Sequence, residues 1–331
     1  MCKSMQLRAV TFVILISCCS VTRTSSAASP GTAHVEFEQG NGTGVIKIGG
    51  TPIATYCYQD DQITRPYFAN VRTLSGVQVT RNHPPMNGQD LMDHDTFHPG
   101  IWLSFGDING SDFWRLKAKV RHAEFVQSPR GGPGQGTFAV RNQYLDQQDP
   151  SKVVCAETAR YTFHVRPDGY LIVWDATFSL PNEFAFGDQE EMGLGFRVAT
   201  PLRVGASGKE VLPPGNGTIV DSKGRKNEKE VAGNSADWCD YSGTIADQRV
   251  GITLLGHPEN FRPSWFHARD YGMLVANPFG RHALGQGETS KIVVRPGEKL
   301  RLRYGLLIHS AAPDRETDLA AAYQDYLKLA D

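Results

Sequence analysis

The sequence predicts an all-β protein, a large antiparallel β-sandwich with a short C-terminal helix. Apolar and polar residues alternate with period two through most of the chain, which is the pattern of half-buried strands. Helical patterns do not alternate with strands, so a parallel α/β sheet is not expected. A dozen or more strands followed by one late helix imply two large sheets packed face to face.

The clearest strands form a predicted hairpin over 161–178. Tyr161, Phe163 and Val165 alternate with polar residues, and Pro167-Asp168-Gly169 supplies the turn before YLIVWDATF. A second turn at Pro296-Gly297 precedes a return strand over 300–308. Further strands are predicted at 45–48, 53–58, 101–106, 137–144, 194–200 and 250–255.

Only the C-terminal segment has helical spacing. Its apolar residues recur every three or four positions, and Asp314 or Thr317 is the expected N-cap. These apolar residues are Leu319, Ala322, Tyr323, Tyr326 and Leu327. No linker or internal repeat divides the chain, so one domain is expected over 29–331.

The first 28 residues have the order of a secretory signal peptide. Lys3 and Arg8 precede an apolar stretch of about eleven residues, and Ser26-Ala27-Ala28 forms a small-residue cleavage site. The stretch is shorter than the roughly 20 residues of a spanning helix. Cleavage after Ala28 releases a soluble product, whereas a lipobox-like sequence ending at Cys18 leads to a lipoprotein. Either route predicts an exported protein, periplasmic or extracellular.

Charge and cysteine content exclude several classes of protein. Without the leader, 31 Lys and Arg face 35 Asp and Glu, which is no electrostatic footprint for nucleic acid. Cys57, Cys155 and Cys239 have no CxxC spacing, so they predict neither a zinc site nor a disulfide framework. One disulfide and buried free thiols stay open as alternatives. A phosphate loop, a GxSxG elbow and an HExxH motif are missing from the sequence.

Three segments concentrate His, Trp, Arg and carboxylates where a structural β-protein has small polar loop residues. They are 81–114, with DHDTFHPGIW at its centre, 237–241 with DWCDY, and 257–277. His94 and His98 beside carboxylates suit acid–base chemistry or metal binding. Aromatic rings among carboxylates suit sugar rings, whose C–H faces stack on aromatics. The structural alternative is hydrogen-bonded loop histidines, a core Trp238 and turn-forming aspartates.

We expect the first and third segments to meet in one cleft, with His94, His98 and His267 within about 10–12 Å. Catalysis is assigned to His94, His98, His267, Asp107, Asp240 and Asp270. Substrate binding is assigned to Arg65, Trp114, Trp238, Asn260, Arg262, Trp265, Tyr271 and Asn277.

Several sequence blocks resemble a known bacterial family. They are RPYFANV (65–71), VTRNHP (79–84), DHDTFHPGIW (93–102), GDINGSDFW (106–114), DWCDYSG (237–243), HPENFRPSWFHARDYGMLVANPFG (257–280) and LRYGLLIH (302–309). The family is labelled methane oxygenase PmoA and is also known as a domain of unknown function. The resemblance implies a β-supersandwich similar to galactose mutarotase and other carbohydrate-active proteins. The family block is close to DHPHHPG, so the sequence Asp95-Thr96-Phe97 lacks one of its histidines.

Residues and resemblance together predict a secreted carbohydrate-active enzyme of the glycoside hydrolase, lyase or epimerase type. The expected ligand is a small molecule or an oligosaccharide, and no cofactor is expected. A divalent metal or copper at His94 and His98 is an alternative. The alternative function is a non-catalytic sugar-binding or copper-handling sandwich of the cell surface.

Overall fold

The computed structural model describes Met1, residues 32–205 and residues 212–330. Apart from Met1, the predicted signal peptide over 1–28 lies outside the described residues, as does Cys18. Among the described residues, the search for a helix long and apolar enough to cross a membrane finds none.

Strands dominate the regular secondary structure of the described chain. In chain order these are β1 Val35–Gln39, β2 Thr43–Ile48, β3 Thr51–Cys57, β4 Tyr67–Ala69, β5 Ile101–Phe105, β6 Val120–Arg130, β7 Gln135–Leu145, β8 Val153–Arg166, β9 Gly169–Ser179, β10 Phe184–Phe186, β11 Met192–Arg197, β12 Thr218–Asp221, β13 Trp238–Ile245, β14 Gln248–Gly256, β15 Trp265–Arg269, β16 Met273–Asn277, β17 Ile292–Val294 and β18 Leu300–Ala311. The α-helices are α1 Asn227–Val231 and α2 Leu319–Ala330.

Two antiparallel sheets of eight strands confirm the predicted sandwich. The first sheet has the order β1-β2-β3-β4-β5-β11-β16-β15, and the second has the order β12-β13-β14-β18-β9-β8-β7-β6. The short strands β10 and β17 pair separately. The predicted hairpin is β8–β9, with Tyr161 directly opposite Trp174.

Aromatic side chains fill the space between the sheets. The Phe68 ring of the first sheet lies 5.2 Å from the Tyr161 ring and 5.7 Å from the Trp174 ring of the second. All three side chains are buried. Each buried ring of this size stabilises the fold by about 2–3 kcal/mol through removal of apolar surface from water.

The outer faces of the two sheets are covered differently. On the second sheet, Tyr326 of α2 packs with Leu171, Leu255 and Leu307 in one apolar cluster. On the first sheet, the cluster contains Tyr67, Trp102, Trp114, Met273 and Val275, with Tyr271 at its side. Because side chains alternate between the faces of a strand, Trp102 points outward while Ile101 and Leu103 point into the sandwich.

Several local predictions were wrong. The segment 257–277, interpreted as a loop, contains the hairpin β15–β16, and Asp237–Tyr241 runs into strand β13. The predicted N-caps of α2, Asp314 and Thr317, are replaced by Asp318, whose Oδ1 accepts the Ala321 N–H. Cys57, Cys155 and Cys239 are buried free thiols, which decides between the two alternatives for them.

Candidate active site

A small cavity opens on the outer face of the first sheet. Its volume is about 90 Å³. Its walls consist of His94, Phe97, His98, Trp114, Arg115, Glu191, His267, Tyr271 and Met273. The two segments 93–114 and 257–280 therefore meet here, and the three predicted histidines line one cavity.

Strand register creates one half of this cavity. Trp102 of β5 and Val275 of β16 both lie directly opposite Gly195 of β11, and His267 of β15 lies directly opposite Val275. Residues in such a row share one face of a sheet. His267 therefore projects from the same outward face as Trp102, although the two are far apart in the chain.

The loop before β5 supplies the other half and is fixed by a buried arginine. Arg81 donates to the main-chain oxygens of Asp93, His94 and His98. The His98 ring is stacked on Trp102, with centroids 5.0 Å apart and planes within 6°. These contacts hold both histidines of the loop in position.

The ring partners determine the tautomers of His94 and His98. Arg197 donates two bonds to the Asp93 carboxylate, at 2.7 and 3.1 Å. Partial burial raises the pKa of Asp93, but the bonds from His94 and Arg197 outweigh this and hold the pKa well below its ordinary value. His94 Nδ1, 2.9 Å from this carboxylate, must therefore donate, and in the neutral ring Nε2 is then the acceptor.

His98 has the opposite arrangement. Its Nδ1 lies 3.3 Å from an Arg197 N–H, which can only donate, so Nδ1 accepts and Nε2 carries the proton. Burial and the neighbouring Arg197 charge lower the pKa of His98 well below its ordinary value. The His94 and His98 rings are stacked at 4.7 Å. A proton acceptor and a proton donor thus stand side by side.

His267 is enclosed by one glutamate. Its Nδ1 lies 3.1 Å from the Glu190 main-chain oxygen and its Nε2 lies 3.2 Å from the Glu190 carboxylate. Burial lowers the pKa of His267 to about 4, although the Glu190 carboxylate acts in the opposite direction. Arg269 pairs with the same carboxylate. A neutral imidazole can donate to only one of these two oxygens.

A second ion pair forms the wall opposite Tyr271. The Glu191 carboxylate pairs with Arg115, which also bonds Asp112 at 3.1 Å. Arg197 lies over the Tyr271 ring, 4.4 Å from its centroid. Glu191 and Arg115 therefore present fixed charges to the cavity.

The residues missed in the sequence are mainly charged. Glu190, Glu191, Arg115 and Arg197 belong to the site or support it, as do Phe97 and Met273. Both glutamates directly precede β11. Glu191 lines the cavity, and the Glu190 carboxylate contacts His267. In the sequence, the adjacent pair Glu190-Glu191 was the feature that could have indicated these acidic residues of the site.

Asp107 and Asp270, predicted as catalytic, lie outside the cavity lining. Asp107 Oδ1 accepts the Gly110 N–H at 2.7 Å, as a turn-forming aspartate does. Asp270 Oδ1 accepts the Glu228 N–H, and the Glu228 carboxylate accepts the Asp270 N–H, both at 2.9 Å. These carboxylates hold turns and the start of α1.

Asp240 and Trp238 lie on the second sheet, in a separate cleft of about 500 Å³. Asp240 Oδ1 accepts hydrogen bonds from Thr253 at 2.7 Å and from His309 Nε2 at 2.9 Å. His309 Nδ1 and the Thr317 hydroxyl are hydrogen-bonded at 3.1 Å. The chain of bonds ties the segment before α2 to the sheet, and Asp240 and Trp238 lie outside the cavity that the three histidines line.

Two predicted binding residues support the cavity from behind. Arg65 donates to the main-chain oxygens of Phe97 and Trp114. Asn277 donates to the Glu190 main-chain oxygen at 3.0 Å. Both position residues of the site without lining it.

Of the other predicted binding residues, Trp114 and Tyr271 line the cavity, whereas Asn260, Arg262 and Trp265 lie outside its lining. Asn260 bonds the main chain of Arg303 in both directions, at 2.7 and 2.9 Å. Arg262 lies over the Trp265 ring, 5.5 Å from its centroid. The charged and aromatic residues of 257–271 therefore contribute to packing around the β15–β16 hairpin as well as to the site.

Charge at the site opposes a bound cation. Within residues 32–205 and 212–330, no group of three or more His, Cys, Asp or Glu side chains is arranged to hold a metal. Arg81 and Arg197 place positive charge beside His98, which disfavours a cation there. The metal alternative at His94 and His98 stays a prediction.

Comparisons with known proteins give a family and a set of distant folds. The model of a family described as a family of unknown function (DUF6807) matches residues 44–324. No curated protein matches the chain. The GH36 alpha-galactosidase AgaB from Geobacillus stearothermophilus has 12% identity and a TM-score of 0.42, over 84% of this chain and 41% of that chain. This chain thus spans about two fifths of that galactosidase.

Two smaller structures are similar over their whole length. A galactose mutarotase-like protein from Lactobacillus casei has 10% identity and a TM-score of 0.36, over 83% of this chain and 100% of that chain. Another from Clostridium acetobutylicum has 10% identity and a TM-score of 0.34, over 85% and 99%.

Proposed function

The chain belongs to the family of unknown function DUF6807, and from that premise we propose that the outer-face cavity binds a sugar and moves protons on it. The observation that carries the proposal is the stacked pair of histidines in opposite tautomers. The enzyme is of the carbohydrate-active epimerase, lyase or hydrolase type, and proton transfer is the step that its residues supply.

His94 is the proposed general base. Its Nε2 lone pair is directed by the Asp93 bond on Nδ1, and its side chain is 46% exposed, so a substrate can reach it. His98, a neutral ring with its proton on Nε2, is the proposed hydrogen-bond donor to a substrate oxygen. A positioned base contributes about 10²–10⁴-fold to rate. The stacked arrangement permits His94 to accept a proton from the substrate while the His98 N–H stabilises the negative charge that develops on a substrate oxygen.

The walls suit a single sugar ring. Trp114, Tyr271 and Met273 contribute apolar surface to the cavity wall for C–H groups, and the Glu191–Arg115 pair gives an acceptor and donors for hydroxyls. The cavity of about 90 Å³ is small beside pockets that enclose drug-sized ligands, roughly 300–1,000 Å³. We therefore expect a monosaccharide, or the terminal unit of an oligosaccharide, as the ligand.

The proposed place of action is outside the cytoplasm. The basic, apolar and small-residue order of 1–28 supports export. N-terminal sequencing of the exported protein is expected to begin near Ser29; an intact Met1 in that fraction contradicts the proposal, and a lipidated Cys18 selects the lipoprotein route.

The test is turnover of a panel of monosaccharides and oligosaccharides, with and without a chelator. We expect turnover of at least one saccharide, and His94→Gln to lower kcat/KM by about 100-fold or more. His282→Gln, an exposed histidine outside the cavity, is the matched control and should behave as wild type. Because His94 is half-exposed, its variant should keep the melting temperature.

Other outcomes identify the alternatives. Full turnover by His94→Gln contradicts the acid–base proposal. Saturable sugar binding without turnover indicates the non-catalytic sugar-binding function. Loss of activity with chelator indicates a metal at His94 and His98.

A further inference from the structure

A second cavity lies at the other side of Arg65, between the β3–β4 connection and the start of β6. Its volume is about 240 Å³. Thr64, Arg65, Lys119, Arg121 and His122 form much of its wall, and it shares no lining residue with the candidate active site.

Three buried polar atoms of this wall have no hydrogen-bond partner within the described chain. They are Thr64 Oγ1, Arg65 Nε and His122 Nδ1. Buried polar groups are nearly always bonded, and each exception needs an explanation. Three such atoms around one cavity point to a ligand that supplies the bonds.

Charge indicates the kind of ligand. Arg65 is only 3% exposed, and in the described residues its guanidinium bonds only main-chain oxygens, those of Phe97, Phe113 and Trp114. Burial lowers the pKa of Arg65 to about 9, as expected for a buried cation without a bonded carboxylate. Buried charges are normally paired.

The rim adds to this positive charge. Lys119 and Arg121 are exposed at the cavity mouth. The carboxylate of Asp60 is already satisfied, because it accepts bonds from the Gln62 N–H, the Ile63 N–H and the Tyr67 hydroxyl. The cavity therefore combines net positive charge with unused donors.

We infer that this cavity binds a small oxyanion group, a carboxylate or a sulfate or phosphate ester. Arg65 Nε–H and the Thr64 hydroxyl donate to its oxygens, His122 Nδ1 donates in the neutral tautomer that carries its proton there, and Lys119 contributes charge at the rim. The group belongs to an acidic sugar or to a free inorganic anion, which share this chemistry.

The test measures thermal stabilisation and calorimetric binding at constant ionic strength, with sodium sulfate, sodium glucuronate and glucose, and chloride as the reference salt. Sulfate or glucuronate should raise the melting temperature in a saturable way. Binding of both indicates a general oxyanion site, whereas binding of glucuronate alone assigns the site to acidic sugars.

Two variants make the test specific, since Arg65 itself supports the fold and its loss risks unfolding. Thr64→Val replaces an unpartnered hydroxyl by an isosteric methyl, so the free protein should be as stable as wild type or more stable. The same variant should bind the anion at least fivefold more weakly.

Lys119→Met should also weaken anion binding, by about tenfold for loss of one charge. Lys152→Met, an exposed lysine far from the cavity lining, is the matched control and should bind as wild type. Absence of saturable anion binding, or wild-type affinity in Thr64→Val, overturns the inference.

Discussion

His94 occupies the left-handed backbone region, with φ of 48°, which few residues other than glycine adopt. Strain of this kind persists where surrounding contacts over-determine the backbone, and it concentrates at functional sites. Here the contacts are the Arg81 bonds to the main-chain oxygens of Asp93 and His94. The strained residue and the proposed general base are therefore the same residue.

Burial of His267 predicts a loss of stability in acid. Its pKa is about 4 in the folded state and near 6.5 when unfolded. Between these values the unfolded chain binds a proton that the folded chain refuses, so stability falls as pH drops from 6.5 to 4. The free energy of unfolding lost in this way is about 3 kcal/mol at pH 4. Urea unfolding of wild type and His267→Gln across this range measures it.

The variant should have a flatter pH dependence below pH 6.5. His282→Gln, which changes an exposed histidine, should follow wild type. Identical slopes for wild type and His267→Gln would mean that folding does not lower the pKa of His267.

The three imidazoles grouped from the sequence line one cavity, whereas the carboxylates Asp107 and Asp270 lie outside it. His94, His98 and His267 stood out because histidines gathered at strand ends have few structural uses. Asp107 and Asp270 stood out for the same reason but serve turns, whose geometry depends on backbone torsions that composition does not reveal. Glu190 and Glu191 reach the site only because β11 lies between β5 and β16, and strand order is not encoded locally.

At the scale of elements, the alternation of apolar and polar residues predicted strands where one face of the strand was polar. The hairpin β8–β9 was predicted because its turn and its period-two pattern agree. β15 alternates too, with Trp265, His267 and Arg269 on one face and Phe266 and Ala268 on the other. The outward residues of β15 resemble those of a binding loop because the outward face of this strand forms part of the site.

The entry of the site loop into β5 depends on Gly100. Its φ is +142°, and a Cβ there would lie 2.1 Å from the Phe68 main-chain oxygen. Backbone of β4 cannot move aside without breaking its pairing with β5. Gly100→Ala should therefore cost about 3 kcal/mol or more and reduce turnover by displacing His98.

Gly76→Ala is the matched control for this element. Its φ is +85°, and the added Cβ would meet no atom within 4 Å, so only the backbone cost of about 1 kcal/mol applies. Urea midpoints at pH 7 compare the two variants. Equal losses in both show that the close approach at Gly100 has no energetic consequence.

For the whole molecule, a buried acid between the two sheets affects how stability depends on pH. Glu157 of β8 is 3% exposed and lies on the same face as Tyr161. Its Oε2 accepts from Asn142 at 2.9 Å and from Tyr144 at 3.3 Å, while Oε1 has no partner among the described residues. Burial raises the pKa of Glu157 to about 7. The buried acid therefore lowers stability as the pH rises, whereas buried histidines lower it as the pH falls.

Replacing this acid should stabilise the whole fold in alkali. Below pH 4.5 both states of Glu157 are protonated, and between 4.5 and 7 only the unfolded state loses the proton, so stability falls as pH rises through this range. The loss reaches about 3 kcal/mol above pH 7. Glu157→Gln keeps the shape of the side chain but does not titrate. Its free energy of unfolding in urea, relative to wild type, should therefore grow from near zero at pH 4.5 to about that value at pH 8.

The control variant is Glu124→Gln, an exposed position paired with Arg141, which should show no such growth. Parallel pH curves for wild type and Glu157→Gln would mean that the carboxyl is ionised in the folded core, with a bound water or cation supplying the partner that Oε1 lacks.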